Sequence, residues 1–132
     1  MITKEQYFGA KPFTPEHEAN ATDLLERVEK LCATLAWDYP VDPDTGTSIS
    51  GSKGGAGDGG FRLDTATTGS AKSSHKEARA VDVFDPKDEL DGLITDALLT
   101  AYGLYREAPE ATPRWVHLTS RAPKSGKRTF FP

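Results

Sequence analysis

An apolar segment with one charged residue at its centre, Ala80–Phe84, constrains the fold of this 132-residue chain more than any other feature. Its length and its valines are typical of a buried β-strand. Asp82 lies between Val81 and Val83, and an unpaired carboxylate is costly to bury. The segment therefore predicts a buried strand in which Asp82 is held by a partner group.

Two histidines are placed to interact with Asp82. His75 precedes the strand by a short loop, and His117 lies in a second predicted strand, Trp115–Ser120. Side-chain alternation puts Asp82 and His117 on strand faces that can look into one cleft. Two histidines and one aspartate suit Zn²⁺ and leave a fourth position open for water, as in catalytic zinc sites. We therefore predict that His75, Asp82 and His117 bind one Zn²⁺ per chain.

Two helices are predicted from apolar stripes that begin at capping residues. Thr14-Pro15 suits the N-cap and first position of a helix that ends near Trp37. Asp85-Pro86 suits the same positions of a second helix, which Gly103 ends. The first stripe consists of Ala21, Leu24, Leu25, Val28, Leu31, Cys32 and Leu35. The second consists of Leu90, Leu93, Ile94, Ala97, Leu98 and Ala101.

The remaining segments complete the expected fold. Leu104–Arg106 and Thr129–Phe131 are further predicted strands, whereas residues 1–13 are expected to form an irregular arm. Residues 42–60 are rich in glycine and predict a flexible loop, with a short strand expected at 47–49. The pattern predicts one α+β domain over residues 1–132, with a small, mainly antiparallel sheet, two main helices and a zinc cleft on the sheet.

Composition excludes several classes of function. The net charge is −4 and the isoelectric point about 5.3, which argues against a nucleic-acid binder. The single cysteine, Cys32, excludes an intrachain disulfide, and the apolar runs are too short for stable membrane insertion. The N-terminal residues lack an apolar signal segment, so cytoplasmic accumulation is expected.

Three segments resemble the signatures of the zinc D-alanyl-D-alanine carboxypeptidase superfamily. Residues 73–82 resemble its Ser-x-His-x-x-Gly-x-Ala-x-Asp signature, with Ala78 in place of the glycine. Trp115-Val116-His117 resembles its Trp-x-His strand, and Gly60-Phe61-Arg62 resembles the segment that supplies a substrate-facing arginine. The order and separations agree from about residue 14 onwards, and residues 121–132 resemble small bacteriophage-encoded members.

The resemblance implies a fold like that of these carboxypeptidases and of hedgehog-type domains. It implies a zinc peptidase that cleaves peptidoglycan stem peptides, as a carboxypeptidase or an endopeptidase, in bacteriophage lysis or cell-wall degradation. In that setting the protein is expected to reach the wall after release through a pore or by carriage in a virion. It assigns Arg62 to catalysis and substrate binding, because a guanidinium can stabilise an oxyanion or hold a carboxylate. Ser73 is expected to hydrogen-bond the substrate or to support His75.

The position of the general base departs from the superfamily pattern. Many members carry an acid three residues before the last histidine, where this chain has Arg114. A hairpin can bring Glu107 beside His117, so Glu107 is the predicted base and Glu110 is the second candidate. The departure leaves an alternative open, in which the chain is a weak or inactive zinc-stabilised protein that binds the cell wall or has a structural role in a phage.

Overall fold

The computed structural model describes residues 1–51, 58–70 and 72–132. The helices in these ranges are α1 (Lys4–Phe8), α2 (Pro15–Thr34), α3 (Glu89–Leu93) and α4 (Asp96–Tyr102). The strands are β1 (Ala80–Phe84), β2 (Tyr105–Glu107), β3 (Trp115–Thr119) and β4 (Thr129–Phe130). Two short 3₁₀ turns lie at Ser74–Glu77 and Pro109–Ala111.

The strands form one open sheet in the order β1-β3-β2-β4. β3 pairs antiparallel with both β1 and β2, whereas β4 pairs parallel with β2. The prediction of an α+β fold with a small, mainly antiparallel sheet and two main helices is therefore confirmed. The first helix is α2, and the second is the interrupted segment that contains α3 and α4.

The two faces of the sheet have different environments. Val81 pairs with Leu118, and all three of Val81, Leu118 and Val83 belong to the hydrophobic core that also contains the apolar stripe of α2. Because side chains alternate along a strand, the residues between them point away from this core. Asp82 and His117 are such residues, and they are directly paired across β1 and β3. The core therefore supports one face of the sheet and leaves the other for polar groups.

Helix α2 begins where the sequence predicts. The Thr14 hydroxyl accepts a hydrogen bond from the His17 backbone N–H at 3.1 Å, and the His17 ring accepts one from the Thr14 N–H at 3.2 Å. This reciprocal pair satisfies two of the N–H groups that a helix start leaves open. The helix ends at Thr34, slightly before the predicted end near Trp37.

The prediction of one continuous second helix was wrong. Thr95 caps α4 through a hydrogen bond to its hydroxyl from the Leu98 N–H at 3.2 Å, and Ile94 adopts an extended conformation that ends α3. The break changes which residues face the core. Leu99 is fully buried, whereas Leu93 is 49% exposed.

The prediction of an irregular arm at residues 1–13 was also wrong in part. Thr3 and Gln6 form a capping box that starts α1. The Tyr7 hydroxyl donates to the Ala80 carbonyl of β1 at 2.7 Å, and the Phe61 N–H donates to the Tyr7 carbonyl at 3.0 Å. These contacts attach α1 to the segments that carry the polar face of the sheet.

Residues 42–51 form a hydrogen-bonded segment instead of an extended strand at 47–49. Asp42 is bridged to Thr47, and Ile49 is bridged to Val83 of β1. The Asp42 carboxylate accepts hydrogen bonds from the Asp44 and Gly51 N–H groups. Residues 52–57, the centre of the predicted flexible loop, lie outside the described residues. Within the described ranges, each helix is too short or too polar to span a bilayer.

Candidate metal centre

The pairing of β1 with β3 places two predicted metal ligands side by side. Asp82 and His117 are cross-strand partners, and His117 Nδ1 lies 2.9 Å from Asp82 Oδ1. The two residues are 3% and 8% exposed. The buried carboxylate inferred from the sequence is therefore partnered by an imidazole from the neighbouring strand.

The third predicted ligand comes from the 3₁₀ turn before β1. The Ser73 hydroxyl accepts a hydrogen bond from the His75 backbone N–H at 3.2 Å and so caps this turn. His75 Nε2 lies 3.3 Å from Asp82 Oδ1, the same oxygen that His117 contacts. The structure thus brings all three predicted ligands together, and their nearest donor atoms lie within 4.8 Å of one another.

The hydrogen bonding of His75 fixes how its ring faces Asp82. His75 Nδ1 lies 2.8 Å from the Gly60 carbonyl oxygen, which can only accept, so Nδ1 carries the proton. Burial lowers the pKa of His75 and favours the neutral ring. Nε2 then faces Asp82 Oδ1 at 3.3 Å. A proton or a metal ion between these two atoms makes the contact favourable.

Asp82 is an anion in this site. Burial opposes its ionisation, but His75 and His117 outweigh burial and hold the pKa of Asp82 well below its usual range. Arg62 Nη2 lies 3.7 Å from Asp82 Oδ2 and adds positive charge on the side away from the histidines. Arg62 is itself held by hydrogen bonds from its guanidinium to the Asp58 and Thr68 carbonyls.

The donor set fits zinc. Zn²⁺ accepts imidazole nitrogen and carboxylate oxygen, and a ligating histidine usually donates its other N–H to a carbonyl or carboxylate. His75 meets that second condition through Gly60. The three residues therefore match zinc in the donor atoms that they offer and in the hydrogen bond that supports His75. Three protein ligands leave room for a further ligand.

The triad lies in a cleft of about 580 Å³. Arg62, Ser73 and Glu107 line the same cleft, so three further residues singled out in the sequence lie close to the triad. Glu107 is half-buried, and its strand neighbour in β4 is Phe130. Glu110 is exposed on the turn at Pro109–Ala111, and it is not among the described residues that line the cleft.

Arg114 has a backbone role at the start of β3. It is exposed and adopts a left-handed conformation with φ of 73°. Its N–H donates to the Asp88 carboxylate, and its carbonyl accepts from the Asp85 N–H. The residue that occupies the usual position of the base is therefore engaged with the loop that follows β1.

Gly60 was missed as a site residue in the sequence, where only its place before Arg62 was noted. A Cβ at this position would lie 2.5 Å from the Tyr7 carbonyl oxygen, so only glycine fits against α1. The same close packing sets the Gly60 carbonyl against His75. The signal was present in the sequence as a glycine two residues before Arg62, but its partner is distant in the chain.

Ala78 occupies the position where the resembling signature has glycine, and its backbone is left-handed with φ of 58°. We expect Ala78→Gly to change the free energy of unfolding by less than about 1 kcal/mol. Relief of about 1–2 kcal/mol of left-handed strain opposes the lost methyl burial, about 0.8 kcal/mol, and the greater chain entropy of glycine. Urea unfolding measures this difference.

Ala80→Gly is the matched control for Ala78→Gly. Ala80 is equally buried but lies in an extended strand, where it has no left-handed strain to relieve. We expect this variant to lose roughly 1–2 kcal/mol, because burial and strand propensity both favour alanine. Equal losses in the two variants would show that strain at Ala78 is negligible.

Comparison of the chain with protein-family models, with curated proteins and with solved structures gives no match. The case for a function therefore depends on the geometry of the site and on the resemblance of its three segments.

Proposed function

We propose that this protein is a zinc metallopeptidase that cleaves peptidoglycan stem peptides. One observation carries the proposal: ring nitrogens of His75 and His117 both lie close to the same buried oxygen of Asp82, at 3.3 Å and 2.9 Å. A zinc ion held by the three residues would take two imidazole nitrogens and one carboxylate oxygen as ligands, the donor types that zinc accepts. The proposed fold is that of the zinc D-alanyl-D-alanine carboxypeptidases and hedgehog-type domains.

The residues around the triad have the chemistry that peptide hydrolysis needs. When bound, zinc supplies Lewis acidity, which polarises a peptide carbonyl and acidifies water. Glu107 accepts the proton of the attacking water and returns it to the leaving amine. Arg62 holds a substrate carboxylate or the developing oxyanion, while its contact with Asp82 keeps that ligand in place.

The substrate class rests on the resemblance and is supported by the charge of the cleft. Stem peptides of peptidoglycan carry free carboxylates, and cations at the cleft attract such groups. Lys72, Arg121 and Lys124 line the cleft in addition to Arg62. Ser73 caps the turn of His75, so its principal contribution is to position that ligand. The proposed setting is bacteriophage lysis or cell-wall degradation, after release through a pore or from a virion.

The decisive test is incubation of the zinc-loaded chain with purified peptidoglycan, followed by mass spectrometry of the released peptides. We expect new peptide termini that disappear when a chelator removes the metal and return when zinc is restored. Zinc binding without released peptides would support the alternative, a zinc-stabilised wall-binding or structural phage protein. Cleavage that persists without metal would contradict the proposal.

A further inference from the structure

A second cluster of acidic side chains lies beyond the C-terminal end of β1. Asp85 follows β1 directly, Asp88 precedes α3, and Asp91 is in the first turn of α3. One carboxylate oxygen from each residue lies within 4.8 Å of the other two. None of these three aspartates is among the described residues that line the cleft. This cluster is therefore distinct from the site of His75 and His117.

Each member of the cluster is attached to the sheet. The Asp85 N–H donates to the Arg114 carbonyl at 3.0 Å, and Asp88 accepts from the Arg114 N–H at 2.8 Å. These contacts join the end of β1 to the start of β3. Arg106 of β2 lies 3.3 Å from Asp91 Oδ1 and also donates to the Asp91 carbonyl. The cluster therefore touches the strands that carry Asp82, His117 and Glu107.

Two buried oxygens in the cluster have no hydrogen-bond partner among the described residues. They are Asp85 Oδ1 and Asp91 Oδ2. Asp85 is fully buried, and its other oxygen accepts from the Asp91 N–H at 3.0 Å. A buried carboxylate oxygen without a donor is costly, and native proteins usually satisfy such atoms with a ligand, a water or an ion.

The cluster also lacks positive charge. In the described part of the chain, Arg106 supplies the one ion pair to the three carboxylates. Burial raises the pKa of Asp91 to about 7, Arg106 opposes the rise, and Asp85 and Asp88 add to it. One arginine leaves two negative charges uncompensated when all three groups are ionised, which is the charge that one divalent cation supplies.

We propose that Asp85, Asp88 and Asp91 bind a divalent cation that prefers oxygen ligands, of the type of Ca²⁺ or Mg²⁺. A donor set made of carboxylates favours such hard cations, whereas zinc favours sites with nitrogen or sulfur. Asp88 is exposed, so water can complete the coordination. The bound cation braces β1, β2 and β3 behind the residues of the metallopeptidase site.

The competing explanation is a proton. If Asp91 remains protonated, it carries no negative charge. Its hydroxyl can then donate a hydrogen bond to a neighbouring carboxylate and so supply the partner that this oxygen lacks. The test is therefore made at pH 8, where Asp91 is mostly ionised. It uses calorimetric titration of Ca²⁺, and separately of Mg²⁺, into chain that has been freed of metal and then loaded with one equivalent of zinc.

Asp88→Asn is the informative variant. Asparagine keeps the oxygen that accepts from the Arg114 N–H and tolerates the left-handed backbone at this position, where φ is 56°. We expect its affinity for the cation to fall at least about ten-fold, because affinity at such sites follows the number of charged ligands. Glu89→Gln removes the same charge from an exposed neighbour outside the cluster and should bind the cation like wild type.

A further variant separates this proposal from the proposed function. Asp82→Asn removes a proposed zinc ligand but leaves the acidic cluster intact, so its titration with Ca²⁺, made without added zinc, should match that of zinc-free wild type. Cation binding should also raise the unfolding temperature of wild type, since it stabilises the folded state alone. Three results would overturn the proposal: no binding of either cation, equal binding by wild type and Asp88→Asn, or loss of binding in Asp82→Asn.

Discussion

Asp82→Asn is expected to weaken zinc binding by more than about 100-fold. Loss of a residue that only supports a metal ligand weakens binding by about 10- to 100-fold, and loss of a ligand itself should cost more. Asparagine has nearly the same shape, so the strand pairing with His117 should persist. It lacks the negative charge that Asp82 Oδ1 presents to both histidines. Competition against a fluorescent zinc chelator gives the dissociation constants, and peptide release from peptidoglycan should be lost in parallel at limiting zinc.

Asp42→Asn is the matched control for Asp82→Asn. Asp42 is also a buried aspartate, but its carboxylate accepts hydrogen bonds from the Asp44 and Gly51 N–H groups and not from histidine rings. This variant loses a buried charge and should keep zinc with wild-type affinity. If both variants lose zinc equally, the loss reflects general destabilisation, and the assignment of Asp82 as a ligand fails.

Glu107→Gln is expected to lower kcat by roughly 10²–10⁴-fold, the contribution typical of a general base. Glutamine fills the same space in the cleft but cannot accept the proton of the attacking water. Zinc content and the unfolding midpoint should remain at wild-type values, because Glu107 is not among the three ligands. Single-turnover digestion of a soluble muropeptide at saturating concentration measures the chemical step.

Glu110→Gln tests the second candidate for the base. Glu110 is exposed and does not line the cleft among the described residues, so the change should leave kcat unaltered. A large loss in Glu110→Gln together with normal turnover in Glu107→Gln would reverse the assignment. Normal turnover in both variants would mean that the water loses its proton without either carboxylate.

The site was predictable because its signals are local. Strand-length apolar segments around Asp82 and His117 fix which face each residue occupies, and antiparallel pairing then makes them neighbours. The turn that carries His75 is short and lies just before β1, so His75 cannot lie far from this strand. The resemblance predicts a substrate-facing role for Arg62, but neither the resemblance nor the spacing predicted its contact with Asp82, since the two residues are distant in sequence and on different elements.

The elements that escaped prediction depend on contacts between distant residues. Gly60 supports His75 only because α1 packs against it, and nothing in the sequence around residue 60 identifies Tyr7 as its neighbour. The break between α3 and α4 rests on one side-chain cap at Thr95 within a segment whose apolar pattern fits a continuous helix. The local sequence predicts that Asp85 is an N-cap. Its place in an acidic cluster was not predicted, because the cluster forms only when β2 and β3 have folded beside β1.

The proposed peptidase requires one zinc ion held by side chains from a turn and two strands. Crystals of the chain grown with one equivalent of zinc, with diffraction recorded on both sides of the zinc absorption edge, test it directly. We expect one anomalous peak, about 2.0–2.2 Å from a nitrogen of His75, a nitrogen of His117 and an oxygen of Asp82. A peak at the acidic cluster instead, or no peak at the three residues, would contradict it.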